Sequence, residues 1–139
     1  KAGRSLDEID LIVPVLAVPG DTPEERMALE REAKAAIGFY GSTPVYAFQF
    51  NDLGYQGKRQ VLAEKLRVGD REGMINLVSD EMLNQFGLSA RWDDMADQLI
   101  ARYKGVASRV VMYFATQSIA ADPRNHGRWT EIARAVRAA

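Results

Sequence analysis

The stretch Ile9-Asp10-Leu11-Ile12-Val13-Pro14-Val15-Leu16-Ala17-Val18, followed by Pro19-Gly20-Asp21-Thr22-Pro23-Glu24-Glu25, decides the fold class. Residues 9–18 are almost continuously apolar and rich in β-branched side chains. That is the composition of a strand buried on both faces, as in a parallel sheet. Pro14 donates no ladder hydrogen bond, so a bulge or a local edge is expected there. Pro19-Gly20-Asp21 stops the strand. Thr22 can then cap a helix, Pro23 suits its first position, and Glu25 completes a capping box. Leu29, Ala33, Ala36, Ile37 and Tyr40 continue at helical spacing. Strand, turn and helix in this order form half of a β/α unit.

That helix is expected to close on Gly41, because glycine enters the left-handed region without a Cβ penalty. Ser42 or Thr43 can cap a following short helix, with Pro44 in its first turn. Two helices meeting at a fixed angle beside Tyr40 and Tyr46 make a wall for a flat ligand, or else these rings belong to a helical core. Ile37 and Phe39 are expected to be core. Residues 44–53 read as a short helix with Tyr46, Phe50 and Leu53 on one face. Residues 58–68 read as another, with Val61, Leu62 and Leu66 inward. Asp70 and Ser79 are N-cap candidates for two further short helices.

Gly87 is expected to end the last of these, and Ser89 to cap a helix over about 90–103. Trp92, Met95, Ala96, Leu99, Ile100 and Tyr103 would be its buried stripe. Residues 109–115 (Arg-Val-Val-Met-Tyr-Phe-Ala) read as a second strand, followed by a polar loop. A last helix near 128–138 would pack through Trp129, Ile132, Ala133 and Val136. Two strands among about seven helical pieces do not make a stable sheet by themselves. A strand apolar on both faces needs neighbours, from upstream sequence or from another chain.

The chain has 139 residues, 47% apolar and 27% charged, and a formal net charge of −1. This suits one soluble domain and lacks the basic excess of a nucleic-acid binder. With no cysteine, disulfides, thiolate catalysis and Cys-ligated metals are excluded. No apolar run approaches the roughly 20 residues of a membrane span. Neither nucleic acid nor a membrane is expected as a partner, and a cytoplasmic location is expected. The first residue is Lys1, and a capping-type start (Ser5-Leu6-Asp7-Glu8) leads almost at once into the strand. Residues are expected to be missing upstream.

The one histidine, His126, lies in a Pro/Asn/Gly-rich stretch and reads as a solvated loop residue. The acidic pairs Glu24-Glu25, Asp80-Glu81 and Asp93-Asp94 sit at helix starts, where the helix dipole accounts for them. No metal set is expected. Lys58, Arg59, Lys65, Arg67 and Arg71 form a basic patch, which is either a solvated face or a site for a phosphate or carboxylate. The carboxyl ends of the strands, at Val18-Pro19-Gly20-Asp21 and Phe114-Ala115-Thr116-Gln117-Ser118, are the other place for a ligand.

Several segments together carry a resemblance. They are Val18-Pro19-Gly20-Asp21-Thr22-Pro23-Glu24-Glu25, Phe39-Tyr40-Gly41-Ser42-Thr43-Pro44-Val45-Tyr46, Asp52-Leu53-Gly54, Arg102-Tyr103-Lys104-Gly105-Val106 and Arg109-Val110-Val111-Met112-Tyr113-Phe114. In this order they resemble the C-terminal part of bacterial luciferase-like monooxygenases, in particular the coenzyme F(420)-dependent oxidoreductases. The departure is at Gly87-Leu88-Ser89-Ala90-Arg91-Trp92, where relatives often have Gly-Thr-Pro-Asp-Glu.

The resemblance implies an α/β chain forming the C-terminal part of a TIM (β/α)8 barrel. It would be a single partial domain over 1–139, with a strand at 9–18, a helical insertion at about 42–87 and a final helix-strand-helix at 89–138. It implies hydride transfer between coenzyme F(420), or FMN, and a small organic substrate. No cofactor is expected on this segment alone, because the family's main cofactor-binding segments lie in earlier strands. Substrate-pocket candidates are Tyr40 and Tyr46 at the mouth, with Lys58 or Arg59 for an anionic group. Catalytic and cofactor-binding residues stay unassigned. The expected partners are the missing N-terminal barrel half or another copy of the chain, as a homo-oligomer. The alternative from another class is a non-enzymatic helical binding or assembly module, with Tyr40, Tyr46 and Phe50 forming its groove.

Overall fold

The structure, a computed structural model, describes Gly3, Ser5 and residues 8–139. The capping-type start read through Leu6 and Asp7 lies outside the described residues. The elements run β1 (Ile12–Pro19), α1 (Pro23–Ser42), a 3-10 turn (Pro44–Tyr46), α2 (Ala47–Asp52), α3 (Lys58–Arg67), α4 (Arg71–Asn76), α5 (Asp80–Phe86), β2 (Gly87–Ala90), α6 (Trp92–Tyr103), β3 (Arg109–Met112), α7 (Ala115–Ala121) and α8 (Asn125–Ala138). They divide into two compact units, residues 1–26 with 88–139 and residues 27–87.

The first unit holds a sheet of order β2-β1-β3. β1 and β3 are parallel, with Ile12 beside Arg109 and Val15 beside Met112. The neighbour that β1 required is thus partly supplied by β2, a strand absent from the sequence reading. Gly87 ends α5 as its C-cap, as expected, and at the same time opens β2. Ser89 lies inside the strand, and α6 begins at Trp92 with an extended Arg91 as N-cap and no side-chain cap. Four residues are too few for strand periodicity to show.

Consecutive strands of a (β/α)8 barrel lie side by side in chain order. Here β3 stands on the edge of β1 away from β2.

The backbone explains Pro14. Leu11 O accepts from Ser108 N and Arg109 N, and Val15 O accepts from Tyr113 N, so odd-numbered residues of β1 face β3. Gly20 N donates to Ala90 O at 3.1 Å, so even-numbered residues face β2. Pro14 is even-numbered and precedes the stretch that the four residues of β2 can reach. Its missing N–H therefore points to a locally unpaired edge, where proline costs no ladder bond.

One face of the sheet is covered. Val13, Val15, Ala17, Val110 and Met112 pack with Trp92, Met95, Leu99, Trp129 and Ile132 of α6 and α8. The Trp92 and Trp129 rings meet edge to face at 5.3 Å. Each large side chain fully buried in such a core contributes about 1.5–3 kcal/mol. The alternate face is open along its first half: Ile12, Val111 and Tyr113 are 48%, 47% and 48% exposed.

The end of the chain departs from expectation. β3 stops at Met112, and Ala115–Ala121 is a helix, not a loop. Its alanines favour helix strongly once the strand has ended. α8 starts at Asn125, whose Nδ2 donates to Ser118 O and Oγ. His126 therefore sits exposed in a helical first turn. Trp129 and Ile132 are buried, whereas Ala133 is exposed.

The second unit is helical. Thr22 caps α1, the helix that leads into it, as read: Glu25 N donates to Thr22 Oγ1. The return half of the capping box is displaced by one residue, since the Glu25 carboxylate accepts from Asp21 N and not from Thr22 N. Asp70 accepts from Gly73 N at 2.7 Å, and Ser79 accepts from Met82 N at 3.2 Å. Both predicted N-caps are present. Leu62 is buried, while Val61 and Leu66 are exposed, because α3 is covered on one narrow side only. Leu53 is exposed as well.

Gly41 is not a helix stop. α1 continues through Ser42, and a Cβ on Gly41 would lie 2.5 Å from Phe50 Cζ and 2.8 Å from Leu62 Cδ1. Glycine serves there for close approach. The left-handed glycines are elsewhere, among them Gly57 at φ +83° and Gly69 at φ +71°.

Candidate functional site

The sequence placed Tyr40 and Tyr46 on two sides of a helix break. In the structure the rings touch each other edge to face, with centroids 5.3 Å apart, and Phe39 joins them at 5.7 Å from Tyr40. Both tyrosines are half-buried. Phe39 is 51% exposed and not core, whereas Ile37 is buried as expected. The Ser42 and Thr43 hydroxyls donate back to Phe39 O, so they close α1 instead of capping the 3-10 turn. Phe50 is buried and stacks on Phe86 at 4.6 Å, which removes it from any open groove.

The basic patch is largely neutralised. Lys65 pairs with Asp70, Arg67 with Glu64 and Arg71 with Glu32, all at 2.6–2.7 Å. Lys58 Nζ donates to Leu77 O at 3.3 Å. Of the five cations only Arg59 has no such partner among the described residues. Hydrogen bonds raise the Arg67 guanidinium and lower its partner Glu64 carboxyl, the signature of a satisfied pair. A cluster with four cations engaged is a poor anion trap.

The carboxyl ends of β1 and β2 carry more. Gly20 holds the end of β1 to Ala90 at the end of β2, and Arg26 Nη1 donates to Gly20 O. Asp21 is the next residue. A cavity of about 360 Å³ opens there, lined by Asp21, Trp92, Asp93, Arg128, Glu131 and Ile132. Arg128 spans its wall. Its guanidinium carbon lies 5.2 Å from the centre of the Trp92 ring, and Nη2 lies 3.7 Å from the Asp21 carboxylate. Three carboxylates face one guanidinium, so the cavity favours cationic and neutral polar groups and repels anions.

Asp21 was within reach of the sequence as a strand end. Trp92 and Arg128 were not, because their contact joins two helices distant in sequence. Among the described residues no group of three or more His, Asp or Glu side chains is arranged to hold a metal ion. No helix of the described residues is long and apolar enough to cross a membrane.

A parallel strand pair with helices on one face and a cavity at the strand carboxyl ends places this chain among the α/β proteins. More narrowly, the chain belongs to the luciferase-like monooxygenase family, whose sequence profile matches residues 1–109. That span includes β1, the helical unit, β2 and α6. The chain is also 30% identical over 118 residues to the uncharacterized proteins Rv1360 of Mycobacterium tuberculosis H37Rv and Mb1395 of Mycobacterium bovis. The matched region is 85% of this chain and 35% of each relative, so the chain spans about a third of the length of the curated relatives it matches. No solved structure matches it.

Proposed function

We propose that this chain is the C-terminal part of a deazaflavin- or flavin-dependent oxidoreductase that moves hydride to or from a small organic substrate. The observation that carries the reading is the family match over residues 1–109. The half-open sheet face at Ile12, Val111 and Tyr113 supports it, since a strand layer uncovered on one side is what a barrel wall lacking its remaining strands presents. In such a barrel β3 would stand beside β2, and the edge of β1 it now occupies would take a strand from elsewhere.

The residues present do not fit coenzyme F(420) or FMN. Both cofactors carry phosphate, and the cavity at Asp21 sets three carboxylates against one stacked guanidinium. Tyr40 and Tyr46 face each other instead of an open slot. The cofactor's site therefore belongs to other parts of the complete protein, and no step through it is derived from this chain. What this chain supplies is a polar rim at the strand ends, with Arg128 stacked on Trp92 and within 3.7 Å of the Asp21 carboxylate.

The test is on the complete reading frame that contains this chain. Reduced coenzyme F(420) and reduced FMN are titrated separately, following intrinsic fluorescence and cofactor oxidation. Saturable binding of one of them is the expected result. Binding of neither would overturn the enzyme reading and leave the assembly-module alternative.

A further inference from the structure

Two ion pairs within the helical unit of residues 27–87 are reciprocal. Arg31 Nη2 donates to Glu72 Oε1 at 2.6 Å, and Arg71 Nη2 donates to Glu32 Oε1 at 2.7 Å. Adjacent residues of α1 thus meet adjacent residues of α4, with positive-negative set against negative-positive. The other assignment, Arg31 to Arg71 and Glu32 to Glu72, would bring like charges together. The charge order therefore admits one direction of α4 along α1 and rejects its reverse. Within α1 the positions four residues from Arg31 and Glu32 are Met27, Ala28, Ala35 and Ala36, so neither charge has a partner one turn away on its own helix. A hydrogen bond to Glu72 is what raises the Arg31 guanidinium above its ordinary value.

α4 depends on such contacts. Its six residues are far below the length at which a helix holds by itself. Its buried side chains are Met74 and Ile75. Met74 is seated on the α1 backbone: a Cβ on Gly38 would stand 2.7 Å from Met74 Cγ and 3.3 Å from its Sδ. The four charged side chains all reach solvent, so salt acts on their pairs. α5 has fastenings of its own, Lys34 to Asp80 at 2.6 Å and Phe86 stacked on Phe50.

We propose that α4 is a charge-keyed latch on α1: the reciprocal pairs Arg31–Glu72 and Glu32–Arg71 hold Met74 against Gly38, and their loss opens this seam ahead of the rest of the helical unit. Every residue involved lies in one compact unit, and the latch does not rest on the oxidoreductase reading.

The test uses three variants of the complete protein. Arg71→Glu with Glu72→Arg reverses the charge order on α4. Arg31→Glu with Glu32→Arg reverses it on α1. The fourfold variant reverses both. All keep the composition and net charge of the parent. Either single reversal sets like charges together in both pairs, and the fourfold variant restores both attractions. Effects of each reversal on its own helix cancel in this cycle.

The readout is hydrogen exchange at the amides of Met74, Leu77 and Val78, which donate to Asp70 O, Met74 O and Ile75 O. Amides in the middle of α1 are the reference. Each single reversal should speed exchange at α4 by about tenfold relative to α1, and the fourfold variant should return to within about twofold of the parent. Raising salt to about 0.5 M should speed α4 exchange in the parent and slow it in either single reversal, because screening weakens attraction in one and repulsion in the other. A single reversal that unfolds the unit, with a fourfold variant that folds, carries the same meaning. A fourfold variant no better than the single reversals overturns the latch. So does α4 exchange that ignores the charge order, or that rises with salt only in step with α1.

Discussion

Gly41 lies so close to Phe50 that a methyl group on its Cα would come within 2.5 Å of the ring Cζ, with Leu62 at 2.8 Å on the same side. The glycine lets α1 run directly over α2 and α3. Gly41→Ala should therefore destabilise the protein by about 1–3 kcal/mol through overpacking. The gain in helix propensity, about 1 kcal/mol, offsets part of this. Gly127 in α8 has no atom near its missing Cβ. Gly127→Ala should be neutral or stabilising by up to about 1 kcal/mol. Urea unfolding of the two variants side by side checks the opposite signs.

Ser79 caps α5 through Met82 N. Ser79→Ala should cost about 1 kcal/mol, and Ser79→Asp should recover most of it. The readout is the midpoint of thermal unfolding, with α5 amide exchange rising in the alanine variant.

The Lys65 ammonium, and then the Gly73 N–H, hold the Asp70 carboxyl below its ordinary 3.8. A carboxyl lowered in the folded state adds stability that is present above its unfolded pKa. That stability is lost as pH falls through the folded value. Acidification below 3.8 should thus loosen the turn between α3 and α4. Asp70→Asn should remove this component of the pH dependence while leaving a partner for Gly73 N. Urea midpoints measured across the acid range for both proteins test this; parallel curves would contradict it.

Arg128 stacks on Trp92 at an exposed rim. Arg128→Ala should lower stability by about 0.5–1 kcal/mol and change the tryptophan emission. Trp92→Ala, which opens the core beneath, should cost about 3–5 kcal/mol. A small effect from the second substitution would mean that Trp92 is not part of the packed core.

Much of the fold was legible because its signals are local. Thr22-Pro23-Glu24-Glu25, Asp70 and Ser79 act within one helical turn of themselves, so their residue types announce the caps wherever the segment packs. The apolar run at β1 and the stripe Trp92, Met95 and Leu99 are periodic over enough residues to be read. β2 was not legible, because Gly87-Leu88-Ser89-Ala90 becomes a strand only by lying against β1. The carboxyl end of β1 was named as a ligand position, and a cavity does open at Asp21. Its other walls come from helices that no spacing connects. Tyr40 and Tyr46 were read as flanking the helix break, whereas the contact of their rings is a matter of rotamer and angle.

By itself, then, the sequence determined the α/β class, the helix caps and the membership of the luciferase-like family. Each depends on short-range hydrogen bonding, on periodicity, or on the order of residues along the chain. Only the tertiary structure decided the strand order, the task of Gly41, the neutralisation of the basic patch and the packing of Arg128 on Trp92. Each of these is a contact between segments far apart in sequence, where distance and direction count and composition does not.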